Sequence, residues 1–143
     1  MIKAIAWCPW QLNLLCTGGG SNDKTIHFWN TTTSGKVASI VTESQVTSLK
    51  WSRDYKEVVS THGFPNNHLS IWSYPSLNKV ADLEGHDMRI LHSSLSPDGQ
   101  TLATCASDES LKFWKTFERK PKTKVKRDDE DELSKAASRL TIR

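Results

Sequence analysis

Three tryptophans set the strongest constraint on this chain. Trp29, Trp72 and Trp114 each close a short alternating run, Thr-Ile-His-Phe-Trp, Leu-Ser-Ile-Trp and Leu-Lys-Phe-Trp, at separations of 43 and 42 residues. A second register passes through Trp7, Trp51 and Leu95 at intervals of 44 residues. Each of these ends a strand-like segment and is followed by a turn: Cys8-Pro9-Trp10, Ser52-Arg53-Asp54 and Ser96-Pro97-Asp98-Gly99. The third turn is chemically explicit, because proline presets one φ angle and glycine accepts a positive one. Such a period marks a supersecondary unit that buries its apolar face only against its neighbours.

Two further strand candidates lie between the markers of each repeat. Residues 13–17, 57–61 and 101–105 form one set, and residues 36–41 and 78–83 another. The alternation has period 2 and turn signals recur every ~8–12 residues, which predicts an all-β chain. No stretch before residue 128 keeps a helical period. Four short strands per ~43 residues, one closed by tryptophan, is the layout of a β-propeller blade. The expected blades run from about 2–43, 44–86 and 87–115, followed by a charged, flexible tail over 116–143.

The third repeat shows what would pin such a blade. Asp108 sits six residues before Trp114 in a tight turn, Thr104 lies on the preceding strand, and Gly85-His86 precedes the repeat. These groups predict a buried chain from His86 to Asp108 and Thr104, and on to the Trp114 indole N–H, in which polar groups satisfy one another. Thr17, Asp23 and Trp29 hold the matching places in the first repeat. In the second, Trp72 is present but Asn66 stands where the aspartate belongs, within His62-Gly63-Phe64-Pro65-Asn66-Asn67. That predicts a longer turn and a weaker network.

Three blades do not close a ring, since propellers have ~4–8, and the third repeat passes into the tail without a fourth strand. The expectation is a piece of a longer protein, or an open array completed by another copy. The charge is divided as well. Residues 1–118 carry 10 Lys/Arg and 11 Asp/Glu, whereas residues 119–143 carry 9 and 5. The repeats thus lack the basic face of a nucleic-acid binder. No apolar run reaches the ~18–20 residues of a membrane helix, so neither nucleic acid nor membrane is expected as a partner. Cys8, Cys16 and Cys105 are odd in number and widely spaced, which reads as reduced thiols.

The sequence offers no catalytic constellation. His86, Asp108 and Thr104 contain the residue types of a hydrolase triad, but a nucleophile needs an exposed elbow and an oxyanion hole, and Thr104 is mid-strand. His27, His62, His68 and His92 have no metal-ligand spacing. Gly18-Gly19-Gly20 lacks the Lys-Ser/Thr of a phosphate loop and reads as a place where backbones pass closely. No catalytic residue, metal or cofactor is expected.

Several short stretches carry a resemblance. Ala6-Trp7-Cys8-Pro9-Trp10-Gln11, Thr17-Gly18-Gly19-Gly20, His27-Phe28-Trp29-Asn30, Ser44-Gln45-Val46-Thr47-Ser48-Leu49, His62-Gly63-Phe64 and Ser96-Pro97-Asp98-Gly99 resemble the fizzy and fizzy-related family. These are WD-repeat activators of the anaphase-promoting complex. The similarity spans residues 2–115 and returns at Ile142-Arg143, and Trp-Cys-Pro-Trp-Gln is closer to the fizzy (mitotic activator) branch. It implies the last three blades of a seven-bladed ring, with the outer strand of the final blade supplied from the N-terminal side. The first four blades and the N-terminal C-box, which engages the ligase, would lie outside this chain.

The resemblance also implies function. The family recognises degrons, short linear motifs in substrates, and brings their bearers to the ligase for ubiquitination. Ser21, Gln45 and Arg89 match the surface that binds the Lys-Glu-Asn degron, where an arginine can pair with the motif's glutamate. Ser21 stands where the family often has threonine. Glu109 matches the acidic residue facing the arginine of the destruction box. Ile142 and Arg143 match a terminal dipeptide that docks on the ligase. Expected partners are subunits of the anaphase-promoting complex, degron-bearing substrates and spindle-checkpoint proteins. Lys120-Pro121-Lys122-Thr123-Lys124-Val125-Lys126-Arg127 resembles a nuclear import signal, and nucleus and cytoplasm are the expected locations. A WD-repeat scaffold unrelated to ubiquitination would use the same fold and differ only in surface residues.

Overall fold

A computed structural model describes residues 1–117. They form eleven strands in three antiparallel sheets and no helix. The first sheet is β1 (Ile2–Trp7), β2 (Leu14–Gly19), β3 (Thr25–Asn30) and β4 (Gly35–Val41), paired in chain order. The second repeats that order with β5 (Val46–Trp51), β6 (Glu57–His62), β7 (Leu69–Ser73) and β8 (Lys79–Leu83). The third has only β9 (Ile90–Leu95), β10 (Thr101–Ala106) and β11 (Leu111–Lys115). The repeat extends to local irregularities. The pairing of β3 with β4 slips beside Trp29, and that of β7 with β8 slips beside Trp72. Each such bulge adds twist where the indole must turn into its sheet face.

The sheets stack as blades, with β5 packed between β1 and β9. Apolar residues of adjoining faces close two cores. The first joins Leu14, Cys16, Ile26 and Phe28 to Val46, Leu49, Trp51 and Val58. Trp51 is its centre: its ring meets Trp10 edge-on at 5.1 Å and Tyr74 at 5.6 Å, and its N–H donates to the Ala6 carbonyl at 3.3 Å. The second core joins Val59, Leu69 and Ile71 to Ile90, Leu102 and Ala106. The glycine run has its reason here. A Cβ on Gly18 would lie 2.5 Å from Val46 Cγ1, so only glycine lets the first blade approach the second this closely.

All strand pairs are antiparallel, so the β2–β3, β6–β7 and β10–β11 turns share one end of the array with the β4–β5 and β8–β9 connections. The Gly63 N–H donates to the Gln45 carbonyl at 3.0 Å and the Ser107 N–H to the Arg89 carbonyl at 3.1 Å, which ties the turns to the connections there. Of the tail predicted from residue 116, the first two residues are described: the Thr116 and Phe117 N–H groups donate to the Gln100 carbonyl, and Phe117, 3% exposed, joins the second core. The rest, with Ile142, Arg143 and the basic run at 120–127, lies outside the described residues.

Candidate functional site

The networks behind the tryptophans hold the turns that carry the surface residues. In the third blade the Trp114 indole N–H donates to Thr104 Oγ1 at 2.8 Å. Thr104 in turn lies 2.8 Å from His86 Nε2, and His86 Nδ1 lies 3.1 Å from Asp108 Oδ2. One assignment of protons satisfies all four groups. Thr104 accepts from the indole and donates to Nε2, leaving the Nδ1–H to donate to the carboxylate. The Ser110 hydroxyl and the Ser110 and Asp87 N–H groups also donate to Asp108. These bonds, that of the Ser110 side chain foremost, hold the Asp108 carboxyl far below the usual range. Thr104 is 1% exposed with its hydroxyl committed on both sides, so no substrate can reach it as a nucleophile.

The first blade keeps the core of this arrangement. Trp29 donates to Thr17 Oγ1 at 2.9 Å. Asp23 lies 3.4 Å from His27 Nε2, a histidine within its own blade.

The second blade departs from expectation. Its turn is the longest of the three, spanning residues 63–68 between β6 and β7. Asn66, however, takes no part in a buried network; it donates outward to Glu43 Oε2 at 2.7 Å. Ser60 and His62 supply a network of their own there, with no aspartate in it. Trp72 donates to Ser60 Oγ at 2.8 Å, and Ser60 lies 2.7 Å from His62 Nε2. The His62 ring stacks on His68 at 5.1 Å. Burial, reinforced by that neighbouring imidazole, pushes the His62 pKa down to about 4. The sequence did hold a signal for Ser60: it precedes Trp72 by 12 residues, as Thr17 precedes Trp29.

Above these networks lie the surface residues. Gln45 precedes β5 and is half-buried; Arg89 precedes β9 and is exposed. They flank Gly63: a Cβ on that glycine would stand 3.7 Å from both Arg89 Cβ and Gln45 Cβ. Gln45 and Arg89, 44 positions apart in sequence, are thus brought to either side of one open Cα. Phe64, beside it, is 81% exposed. Ser21 is exposed on the β2–β3 turn, one blade away at the same end. Glu109 is exposed on the β10–β11 turn, its backbone left-handed with φ of 61°. The carboxylate and the Arg89 guanidinium are both unspent in the sense that no described residue forms an ion pair with either. A cavity of about 220 Å³ lies nearby, between the first two blades, lined by Thr42, Glu43, His62, His68 and Trp72 among others.

Cys8, Cys16 and Cys105 are free thiols. Burial pushes the Cys16 thiol up to about 12, so it stays protonated. Among the described residues no three His, Cys, Asp or Glu side chains converge as ligands for a metal.

Three blades with tryptophan-centred networks and a shared loop-bearing end define part of a WD-repeat β-propeller. A family model described as "WD domain, G-beta repeat" matches residues 77–115. The WD repeat-containing protein slp1 of Schizosaccharomyces pombe is 60% identical over 119 residues, covering 82% of this chain and 24% of that protein. The anaphase-promoting complex subunit cdc20 of Dictyostelium discoideum is 50% identical over 121 residues, 85% of this chain and 24% of that one. Protein FIZZY-RELATED 2 of Arabidopsis thaliana is 47% identical over 142 residues, 99% of this chain and 29% of its own length. Among solved structures, a chain of a mitotic checkpoint complex superimposes with a TM-score of 0.80 at 60% identity, covering 82% of this chain and 36% of that chain. The chain belongs to the fizzy and fizzy-related family of WD-repeat proteins. It spans about a quarter of the length of the relatives it matches, 24% of each of the first two.

Proposed function

We propose that this chain is part of a substrate-recognition adaptor that activates the anaphase-promoting complex, binding degrons rather than performing chemistry. The observation that carries this reading is the placement of Gln45 and Arg89 on either side of Gly63, at the loop-bearing end of the blades. An amide and an unpaired guanidinium carried by residues that both border Gly63 suit a short peptide with an acidic side chain and an amide, as in Lys-Glu-Asn. Ser21 adds a hydroxyl at the same end. Glu109 serves the second motif, the destruction box, by facing its arginine. One relative is an anaphase-promoting complex subunit and a similar solved chain comes from a mitotic checkpoint complex, which supports ligase subunits and checkpoint proteins as partners. Ile142 and Arg143 would dock on the ligase, with the terminal carboxylate as a handle that only a chain end possesses. The basic run at 120–127 would direct the protein to the nucleus as well as the cytoplasm.

The test uses a closed propeller that carries this chain as its last three blades. Arg89→Ala should weaken a Lys-Glu-Asn peptide by ~1.5–3 kcal/mol, the range for a charge-assisted hydrogen bond, and leave a destruction-box peptide unaffected. Glu109→Ala should do the reverse. Titration calorimetry with both peptides reads the result. Equal loss of both affinities in both variants would mean damage to the fold and would defeat the assignment; no loss in either would favour a scaffold unrelated to ubiquitination.

A further inference from the structure

The β6–β7 loop, residues 63–68, is the segment that lies between Gln45 and Arg89, and it is fastened on both sides. On one side Asn66 Nδ2 donates to Glu43 Oε2 at 2.7 Å, two residues from Gln45. On the other Asn67 Nδ2 donates to the Asp87 carbonyl at 3.1 Å, two residues from Arg89. The loop's own base is closed. The His62 N–H donates to the His68 carbonyl, the Asn67 N–H to the Gly63 carbonyl and the Gly63 N–H to the Gln45 carbonyl, each at 3.0 Å.

Each asparagine suits its place for a physical reason. Asn67 is 8% exposed and has a φ of 50°, a left-handed backbone that asparagine tolerates better than most non-glycine residues. Its amide then reaches sideways to the neighbouring connection. Asn66 meets a carboxylate as a neutral donor, which gives a charge-assisted bond without a competing charge at the cleft.

We propose that Asn66 and Asn67 are positioning residues that set the separation of Gln45 and Arg89 across Gly63, and so tune this end of the molecule to one peptide motif. The inference rests on the assignment of Gln45 and Arg89 to the Lys-Glu-Asn peptide. It goes further by naming what holds them apart. The two connections belong to different blade junctions, and no strand pairing joins them. The loop is the piece of chain bonded to both. Peptide affinity depends on holding polar groups at fixed spacing, and losing that spacing lets each find its own geometry at an entropic cost on binding.

The experiment again uses the closed propeller, with one Lys-Glu-Asn peptide and one destruction-box peptide as probes. Asn66→Asp turns the donor into an acceptor facing Glu43. Asn67→Gly keeps the left-handed turn and deletes only the amide. Each should weaken the Lys-Glu-Asn peptide by about fivefold to tenfold, the value of one hydrogen bond, with destruction-box affinity unchanged. Glu43→Gln alone keeps an acceptor oxygen and should stay within about twofold of the parent. Combined with Asn66→Asp, it reverses donor and acceptor and should restore most of the lost affinity, which a merely structural role would not do. If Arg89→Ala weakens the Lys-Glu-Asn peptide while neither asparagine variant does, the positioning role is overturned and the site stands. Equal loss of both peptides, or no recovery in the reversed pair, also overturns it. If Arg89→Ala has no effect, the site assignment falls and the positioning role falls with it.

Discussion

His62 shows how one residue can replace a motif. In the third blade the histidine arrives from the preceding connection, as His86, and an aspartate in the turn orients it. In the second blade the histidine comes from the end of β6 and reaches Ser60 two residues away. The indole of Trp72 is satisfied by either route, because it needs only one acceptor held by a second group. The cost is a buried imidazole with no carboxylate hydrogen-bonded to it. Its pKa of about 4 in the fold lies below the ~6.5 of an unfolded histidine. Below pH ~6.5 the unfolded chain therefore binds more protons, and stability present above that pH is lost as the pH falls through about 4. The loss over this window should be on the order of 3 kcal/mol. Urea midpoints between pH 7 and pH 4 would measure it, and His62→Gln should flatten the slope. Asp108, also depressed, adds an acid-dependent loss only in a lower window, beginning near its ordinary value of 3.8.

At the scale of elements, β2 decides how closely the first two blades meet. Its end, Thr-Gly-Gly, passes against the start of β5, and Val46 occupies the space a side chain on Gly18 would need. Val46 is fully buried and β-branched, so it cannot swing away. Gly18→Ala should destabilise the array by about 1–3 kcal/mol through overpacking, with Val46→Ala in the same chain recovering part of the loss. A coupling free energy near zero in that double-mutant cycle would show that the two do not compete for the space. Gly85 plays a matching part at the next junction, where a Cβ would stand 2.8 Å from the Trp114 ring.

For the whole molecule, the two ends of the stack are the unfinished parts. On β1, Ile5 is 66% exposed and Trp7 58%; on β11, Leu111 is 62% and Phe113 69%. Both pairs occupy alternating positions, so each marks one apolar sheet face on which no described residue packs. β11 is in addition the edge strand of its sheet among the described residues. Apolar patches of this kind drive association. Purified as residues 1–143, the chain should run in light scattering as oligomers whose size rises with concentration. Trp7→Glu together with Phe113→Glu should shift it towards monomer. A monodisperse monomer of the parent chain at high concentration would contradict the expectation.

The repeat of tryptophans, the period-2 runs and the turn residues determined the strands, their number per blade and the His86–Asp108–Thr104–Trp114 chain. Those features are local, or recur at a fixed interval, so a single sequence displays them. Ser60 was legible too, by its distance from Trp72, but was hidden behind the missing aspartate. What the sequence could not display is contact between segments of different blades. That Gln45 and Arg89 border one glycine and that Asn66 turns outward to Glu43 depend on how one blade rotates against the next, whereas the stacking of His62 on His68 depends on how the β6–β7 loop closes within its own blade. That rotation follows from the packing of Val46 on Gly18 and of Trp51 among Trp10, Phe28 and Tyr74 at the first junction, and of Ile90 with Val59, Leu69 and Ile71 at the second, where shape complementarity is a property of the assembled faces and of no segment by itself.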